Sequence, residues 1–147
     1  MERPDLEIHS RGKAVKRIRQ GQTYDAIISI CDPPEDDEQR DYQAELRAYL
    51  GKAGQHLLAL NFEDRGEGPN CMDILAIRDL AKACHERGDK RIMIHCEGGL
   101  NRSPAVGIVF LREWGLSDED CWSVVMGLVP KAKPSQRVLE LGGIEGK

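Results

Sequence analysis

Residues 91–111 read RIMI-HCEGGLNRS-PAVGIVFL, and the rest of the chain is organised around them. The first run, residues 91–94, is short and apolar, which is typical of a buried strand. The last run, residues 104–111, is apolar and begins with Pro104, a residue favoured in the first turn of a helix because its missing N–H costs nothing there. The stretch therefore predicts a strand, a glycine-bearing loop and a helix in succession.

The loop at residues 95–103 has the features of an anion site. Backbone N–H groups of a tight loop point inward, and the positive end of the following helix adds to their potential. Gly98 and Gly99 allow backbone angles that a side chain would forbid. The residues predicted to bind phosphate are Glu97, Gly98, Gly99, Leu100, Asn101 and Arg102.

A cysteine lies at the start of this loop and an arginine lies near its end. This arrangement suits attack by a thiolate on phosphorus. Cys96 is the candidate nucleophile, because the positive potential of the loop stabilises its thiolate. Arg102 can hold two phosphate oxygens through its planar guanidinium. Ser103 can donate its hydroxyl to the sulfur, or act as a plain helix cap. We expect His95 to orient the loop through a hydrogen bond to backbone.

The order His-Cys, five residues, Arg and then Ser resembles the phosphate-binding signature of the protein tyrosine phosphatase superfamily, at His95, Cys96, Arg102 and Ser103. The low-molecular-weight phosphatases carry a similar signature at the start of the chain. Here it comes late, so residues 25–135 look like the dual-specificity branch. The resemblance implies hydrolysis of phosphomonoesters through a phosphocysteine intermediate.

The resemblance also implies a general acid, an aspartate on a mobile loop upstream of the signature. Asp64 is the best match, because it follows a predicted core strand and has Gly66 and Gly68 beside it as hinges. Glu63 is the alternative, and either residue could instead be a solvated loop carboxylate. Once deprotonated, the same carboxylate would activate the water that hydrolyses the phosphocysteine.

Apolar runs and helical periodicity alternate along the chain. Strands are predicted at about 6–10, 25–31, 55–60 and 91–94, and helices at about 11–20, 40–50, 71–87, 104–111, 117–128 and 138–141. The pattern predicts an α/β fold with a mostly parallel central sheet of four to five strands, flanked by helices on both faces, like the phosphotyrosine protein phosphatases. Tyr42 and Leu75 are assigned to inner helix faces. The chain is expected to form one domain over residues 1–147, with a loose tail at 142–147.

Several residues outside the loop are expected near it, since ligands of a parallel sheet bind beyond the carboxyl ends of its strands. Cys31 and Asp32 end one such strand. Asp32 is interpreted as a turn residue or helix cap. Cys31 could form a disulfide with oxidised Cys96, although a small buried apolar residue is the simpler interpretation. The resemblance implies that Ser135 or Gln136 places water or braces the loop.

Composition limits the partners. The net charge of −4 disfavours nucleic acids and anionic membranes, and no apolar run approaches the length of a membrane span. The N-terminus lacks a signal-peptide pattern, and five cysteines without framework spacing predict a reducing cytoplasm. No metal or cofactor is expected, and the oligomeric state is left open.

The substrate predicted from the resemblance is phosphotyrosine in proteins, with phosphoserine and phosphothreonine as possible further substrates. The signature loop has no lysine and contains Glu97, which disfavours phosphoinositides and other polyanions. One alternative is a rhodanese-like sulfurtransferase. A second is a phosphatase resembling RNA 5′-triphosphatases, suggested by residues 99–102. A third, a catalytically inactive phosphate-binding module, is disfavoured because nucleophile, arginine and acid are all present.

Overall fold

The computed structural model describes residues 3–65 and 68–144. Its elements in chain order are β1 (Asp5–Ser10), α1 (Arg11–Arg19), β2 (Tyr24–Cys31), α2 (Asp37–Gly51), β3 (Gly54–Asn61), α3 (Cys71–Arg87), β4 (Arg91–Cys96), α4 (Arg102–Trp114), α5 (Asp118–Leu128) and α6 (Gln136–Leu141). The four strands form one parallel sheet in the order β1-β4-β2-β3. This confirms the predicted α/β fold. Within the described ranges, no helix is both long enough and apolar enough to cross a membrane.

Helices cover both faces of the sheet, because successive side chains of each strand point to opposite faces. On one face, Ile28 and Ile94 pack with residues of α3, α4, α5 and α6. On the other, Ile27 and Met93 pack with residues of α1 and α2. The two apolar clusters fix the sheet between the helix layers, and the carboxyl ends of all four strands meet at one edge.

Side chains cap the starts of α1 and α3. The Ser10 hydroxyl accepts a hydrogen bond from Lys13 N at 3.2 Å and caps α1. Asn70 and Asp73 form a reciprocal capping box at the start of α3. Such caps satisfy N–H groups that have no partner within the helix. The capped starts of α1 and α3 follow segments at the carboxyl ends of the strands.

Two assignments to the core were wrong. Tyr42 is 49 % exposed and lines a pocket at the end of β2, whereas Leu46 and Leu50 are buried against Ile27 and its neighbours. Leu75 is 48 % exposed. It lies about 100° around α3 from Ile74, off the narrow buried stripe of that helix.

The end of the chain is packed further than expected. Ile144 is buried, and Gly142 O accepts hydrogen bonds from Arg78 Nη2 at 2.6 Å and from Arg112 Nη1 at 3.2 Å. Apolar burial and these two charged donors hold the backbone against α3 and α4. The predicted loose tail therefore does not begin at Gly142, and residues 145–147 lie outside the described residues.

Candidate active site

The signature loop lies at the carboxyl edge of the sheet, between the end of β4 and the start of α4. Cys96 is 2 % exposed, and its Sγ accepts a hydrogen bond from Gly99 N at 3.2 Å. Ser103 Oγ lies 3.1 Å from the same sulfur. A backbone N–H, a hydroxyl and the N-terminus of α4 thus direct positive potential at the sulfur.

One side of the loop is pinned against the end of β1. Gly99 has φ +75°, and a Cβ built there would lie 2.6 Å from Ser10 N. Arg11 N donates to Glu97 O at 3.1 Å. Gly98, by contrast, faces open space. Of the two predicted glycines, only Gly99 needs the left-handed conformation and the missing side chain.

The other side of the loop is braced by the segment before α6. Lys133 N donates to Leu100 O at 2.8 Å, and Ser135 N donates to Asn101 O at 3.0 Å. Asn101 Nδ2 donates a hydrogen bond to Lys133 O at 2.8 Å. Ser135 therefore braces the loop through its backbone, while its hydroxyl caps α6 by accepting from Val138 N.

His95 is buried beneath the loop, as a neutral side chain. Its Nδ1 lies 3.1 Å from Cys96 O, and its Nε2 lies 2.7 Å from Ser29 Oγ on the neighbouring strand. Burial lowers the pKa of His95 to about 4. A proton on Nδ1 can then be donated to Cys96 O, while Nε2 accepts from the serine hydroxyl. This is the type of backbone contact expected from the sequence.

Arg102 is 2 % exposed and lies between the ends of β2 and β3. Its Nη1 donates to Asp32 Oδ1 at 2.7 Å and to Phe62 O at 2.8 Å. Its Nε lies 2.7 Å from Asp64 Oδ1, at an angle unsuited to a hydrogen bond. Within residues 3–65 and 68–144, Nε therefore has no aligned acceptor. The guanidinium is held by charge on two sides and keeps an unused donor.

The interpretation of Asp32 as a turn residue or helix cap was wrong. The cap of α2 is Asp36, whose side chain accepts from Gln39 N. Asp32 instead follows directly on β2 and reaches Arg102. Its position at the carboxyl end of a buried parallel strand was the one sequence signal that pointed to the site.

Of the two candidate acids, only Asp64 is placed at the arginine. Its side chain is 49 % exposed, and its contact with Arg102 is ionic. Glu63 lines a separate depression together with Pro33 and Asn70. Gly68 has φ +63°, whereas the other proposed hinge, Gly66, lies outside the described residues. The geometry favours Asp64 over Glu63 as the residue that can work with the loop.

A pocket of about 210 Å³ opens beside Cys96. Its walls come from the start of α1, the end of β2 and the second turn of α2, and its lining includes Arg11, Asp32 and Tyr42. The Arg11 guanidinium lies over the Tyr42 ring, 5.3 Å from the ring centroid. The half-exposed tyrosine that was predicted for the core thus forms part of the wall of this pocket.

Cys31 lines the same pocket but packs on the other face of the sheet from Cys96. Cys31 belongs to the apolar cluster beneath α1 and α2, whereas Cys96 belongs to the cluster beneath α3 and α4. A disulfide needs Cβ vectors that point toward each other. The alternation of the strands therefore favours the simpler interpretation of Cys31 as a small buried residue.

The remaining predicted loop residues contribute backbone. The side chains of Glu97 and Leu100 are exposed, so binding of an anion inside the loop by these two residues would use their backbone N–H groups. The structure thus brings Cys96, Ser103 and the loop backbone together, with Arg102 and Asp64 joined to each other at the same sheet edge.

Comparison with known proteins finds similarity in structure only. The chain matches no protein-family profile, and no curated protein sequence matches it significantly. Tk-PTP in its active form is 22 % identical with a TM-score of 0.61, over 95 % of this chain and 89 % of that chain. Human DUSP28 is 15 % identical with a TM-score of 0.66, over 96 % and 90 %. The PTP-2 phosphatase of Cydia pomonella is 19 % identical with a TM-score of 0.67, over 95 % and 84 %.

These similarities span nearly the whole chain. The fold is therefore that of these phosphatases. Within it, the solved structures most like this chain include protein tyrosine phosphatases and a dual-specificity phosphatase.

Proposed function

We propose that this protein is a cysteine-dependent phosphatase that hydrolyses phosphomonoesters through a phosphocysteine intermediate. The proposal rests on the surroundings of Cys96 and Arg102. The Cys96 sulfur contacts Gly99 N–H and Ser103 Oγ. Arg102, at the start of the next helix, is buried and its Nε has no aligned acceptor among the described residues. That Nε faces the Asp64 carboxylate at 2.7 Å without a hydrogen bond, and an oxyanion in the loop would supply an aligned acceptor. The phosphatase fold supports the same conclusion.

In the first step the Cys96 thiolate attacks phosphorus, and the P–S bond forms as the P–O bond to the leaving group breaks. Asp64 gives its proton to the leaving oxygen. Arg102 and the loop N–H groups hold the three non-bridging oxygens as charge redistributes. In the second step the Asp64 carboxylate takes a proton from water, which attacks phosphorus and breaks the P–S bond. The Ser103 hydroxyl then donates to the departing sulfur.

The contact between Asp64 and Arg102 fits this sequence of steps. Asp64 Oδ1 now lies 2.7 Å from Arg102 Nε, an atom that a phosphate oxygen would need. An incoming phosphate would displace the carboxylate from Nε. Asp64 would then be free to face the leaving oxygen of the bound ester, as a general acid requires.

The proposed substrate is phosphotyrosine in proteins, with phosphoserine and phosphothreonine as further substrates. The pocket beside Cys96 has a volume of about 210 Å³ and an aromatic wall at Tyr42, which suits the ring of a phosphotyrosine. Exposed Glu97 in the loop disfavours polyanionic lipids. All five cysteines are free, which agrees with a reducing cytoplasm as the proposed compartment. Nucleic acids and membranes are not proposed as partners.

The test is a panel of substrates with matched cysteine variants. Wild type should hydrolyse p-nitrophenyl phosphate and phosphotyrosine peptides faster than phosphoinositides or triphosphorylated RNA. Cys96→Ser should lose turnover but still bind orthophosphate, and Arg102→Ala should lose both. Cys71→Ser, at an exposed cysteine on α3, should behave like wild type.

Other outcomes would point to the alternatives. Sulfur transfer from thiosulfate without hydrolysis of p-nitrophenyl phosphate would indicate a rhodanese-like enzyme. Preference for triphosphorylated RNA would indicate an RNA 5′-triphosphatase. Orthophosphate binding without any turnover would indicate an inactive binding module.

A further inference from the structure

We propose that Arg11 is a specificity residue that pairs with a carboxylate next to the phosphorylated residue, so that the preferred substrate is an acidic phosphotyrosine peptide. This inference rests on the proposed function and adds to it the kind of sequence that surrounds the phosphotyrosine. Arg11 itself neither attacks phosphorus nor donates a proton to the leaving group.

The main chain of Arg11 is fixed beside the signature loop. Arg11 is the first residue of α1, and Ser10 caps that helix. Arg11 N donates to Glu97 O at 3.1 Å, so the start of α1 and the loop are joined at this point. The Arg11 side chain lines the same pocket of about 210 Å³ as Cys96. The fold therefore places a cation at a set position relative to the sulfur.

The guanidinium of Arg11 is held through its face and not through its N–H groups. It lies over the Tyr42 ring, 5.3 Å from the ring centroid, in a cation–π contact. The N–H groups of a guanidinium lie in its plane, so a contact with its face leaves them unused. Among the described residues, the Arg11 side chain makes no hydrogen bond and no ion pair. The side chain is thus oriented, and its donors can take a carboxylate of the substrate in a bidentate pair.

The carboxylates close to Arg11 do not neutralise it. Asp32, which lines the same pocket, accepts a hydrogen bond from the signature arginine. Glu97 meets Arg11 through its carbonyl, and its exposed side chain forms no ion pair with Arg11 in the described part of the chain. Arg17, further along α1, by contrast pairs with Glu7. Because the chain has 25 acidic residues and 21 basic ones, an arginine left unpaired in the pocket indicates an acidic group that comes from the ligand.

The contact with Tyr42 favours a carboxylate of the peptide over the reacting phosphate as the partner of Arg11. In the proposed mechanism the phosphate is held inside the loop, between Cys96 and Arg102. Tyr42 forms the wall of the pocket that suits the ring of the phosphotyrosine. Since Arg11 contacts Tyr42, its donors serve the part of the substrate outside the loop. A glutamate or aspartate next to the phosphotyrosine would supply the matching acceptor.

The experiment compares matched phosphotyrosine peptides that carry either glutamate or glutamine on both sides of the phosphotyrosine. In wild type, kcat/KM should be about tenfold higher for the glutamate peptide, as expected for a charge-assisted pair. Arg11→Gln should bring this ratio to about one, and Arg11→Lys should keep part of it. Arg11→Glu should reverse the preference, toward a peptide with lysine at the same positions. Arg19→Gln removes an exposed arginine from the same helix, serves as the matched control and should keep the ratio.

The ratio separates specificity from structure, because a displaced loop would slow the hydrolysis of both peptides alike. Equal kcat/KM for the two peptides in wild type, or an unchanged ratio in Arg11→Gln, would overturn the role of Arg11. Loss of the ratio in Arg19→Gln would also overturn it, since the preference would then come from the overall charge of α1.

Binding of the same peptides to Cys96→Ser, measured by calorimetry, keeps this test apart from that of the proposed function. The dissociation constants should show the same preference for glutamate, and Arg11→Gln in that background should remove it. A protein that prefers the glutamate peptide in binding but hydrolyses neither peptide nor p-nitrophenyl phosphate would overturn the proposed phosphatase activity alone.

Discussion

Gly99 packs directly against the backbone of Ser10, and a Cβ added to Gly99 would lie 2.6 Å from Ser10 N. The same glycine has φ +75° and donates its N–H to Cys96 Sγ. Cys96, the loop and the end of β1 are thus coupled through one residue. Any side chain at that position must move either the strand end or the donor to the sulfur.

Gly99→Ala should therefore abolish most of the activity. A methyl group would add strain of about 1–3 kcal/mol at a left-handed residue, and the clash with rigid backbone would add to that. The measurements are kcat/KM with p-nitrophenyl phosphate and the free energy of unfolding. Gly98→Ala, where the new methyl group meets open space, should lose far less. Equal losses at the two positions would show that the packing against Ser10 is unimportant.

Asp64→Asn should lower kcat by about 10²–10⁴, the usual contribution of a general acid or base. The loss should be larger with phenyl phosphate than with p-nitrophenyl phosphate, because the more basic leaving group depends more on protonation. Glu63→Gln is the matched control and should retain activity, since Glu63 lines a different depression. Full activity in Asp64→Asn together with a loss in Glu63→Gln would transfer the role to Glu63.

Ser103→Ala should slow the second step more than the first. Ser103 Oγ lies 3.1 Å from Cys96 Sγ, so its hydroxyl is placed to stabilise the sulfur as the phosphocysteine breaks down. Rapid-mixing kinetics should show a burst of p-nitrophenol followed by slow turnover, and the phosphoenzyme should accumulate. Ser123→Ala, at an exposed position on α5, should show neither effect. Absence of the burst in Ser103→Ala would show that its contact with the sulfur has no role in turnover, since Ser103 lies inside α4 and does not cap it.

Acid should destabilise the protein through His95. The pKa of His95 is lowered by burial to about 4, whereas in the unfolded chain it returns to its ordinary value of 6.5. Between those values the unfolded chain binds a proton that the folded chain cannot. The stabilisation is complete above pH 6.5, and it falls by about 3 kcal/mol as the pH drops to 4.

Urea unfolding at pH 7.0, 5.5 and 4.5 measures this dependence, in wild type and in His95→Asn, which has no titrating group. The variant should be less stable at pH 7 but should lose less stability on acidification. Glu7 begins to lose its stabilising contribution only at the lowest pH of this series, because its pKa is 4.5 in the unfolded chain and is lowered to about 2 in the folded protein. Burial raises that pKa, but hydrogen bonds from neighbours led by Arg17 outweigh it. Parallel curves for the two proteins would show that another group controls the acid response.

Local patterns in the sequence were sufficient for much of the fold. The apolar run of β4 and the spacing from Cys96 to Arg102 each lie within a few residues, and each predicted its element correctly. Parallel strands were expected because apolar runs alternate with amphipathic helices.

The errors came from residues whose environment depends on elements distant in the chain. Helical periodicity places Tyr42 on the same stripe as Leu46 and Leu50, but it does not say where the sheet beneath α2 ends. The packing of Ile144 likewise depends on donors that α3 and α4 bring to the chain end. Burial is a property of the assembled layers, so a single segment cannot specify it.

By itself, then, the sequence determined the strand, loop and helix around Cys96 and the residue types of an anion site, because these follow from short-range geometry. The tertiary structure alone decided that Asp32 and Phe62 O accept hydrogen bonds from Arg102, and that Asp64 rather than Glu63 contacts it. Those contacts join positions 38 to 70 residues apart in the chain (for Arg102, 102 − 64 and 102 − 32). They arise because the parallel order β1-β4-β2-β3 brings the carboxyl ends of separate strands to one edge.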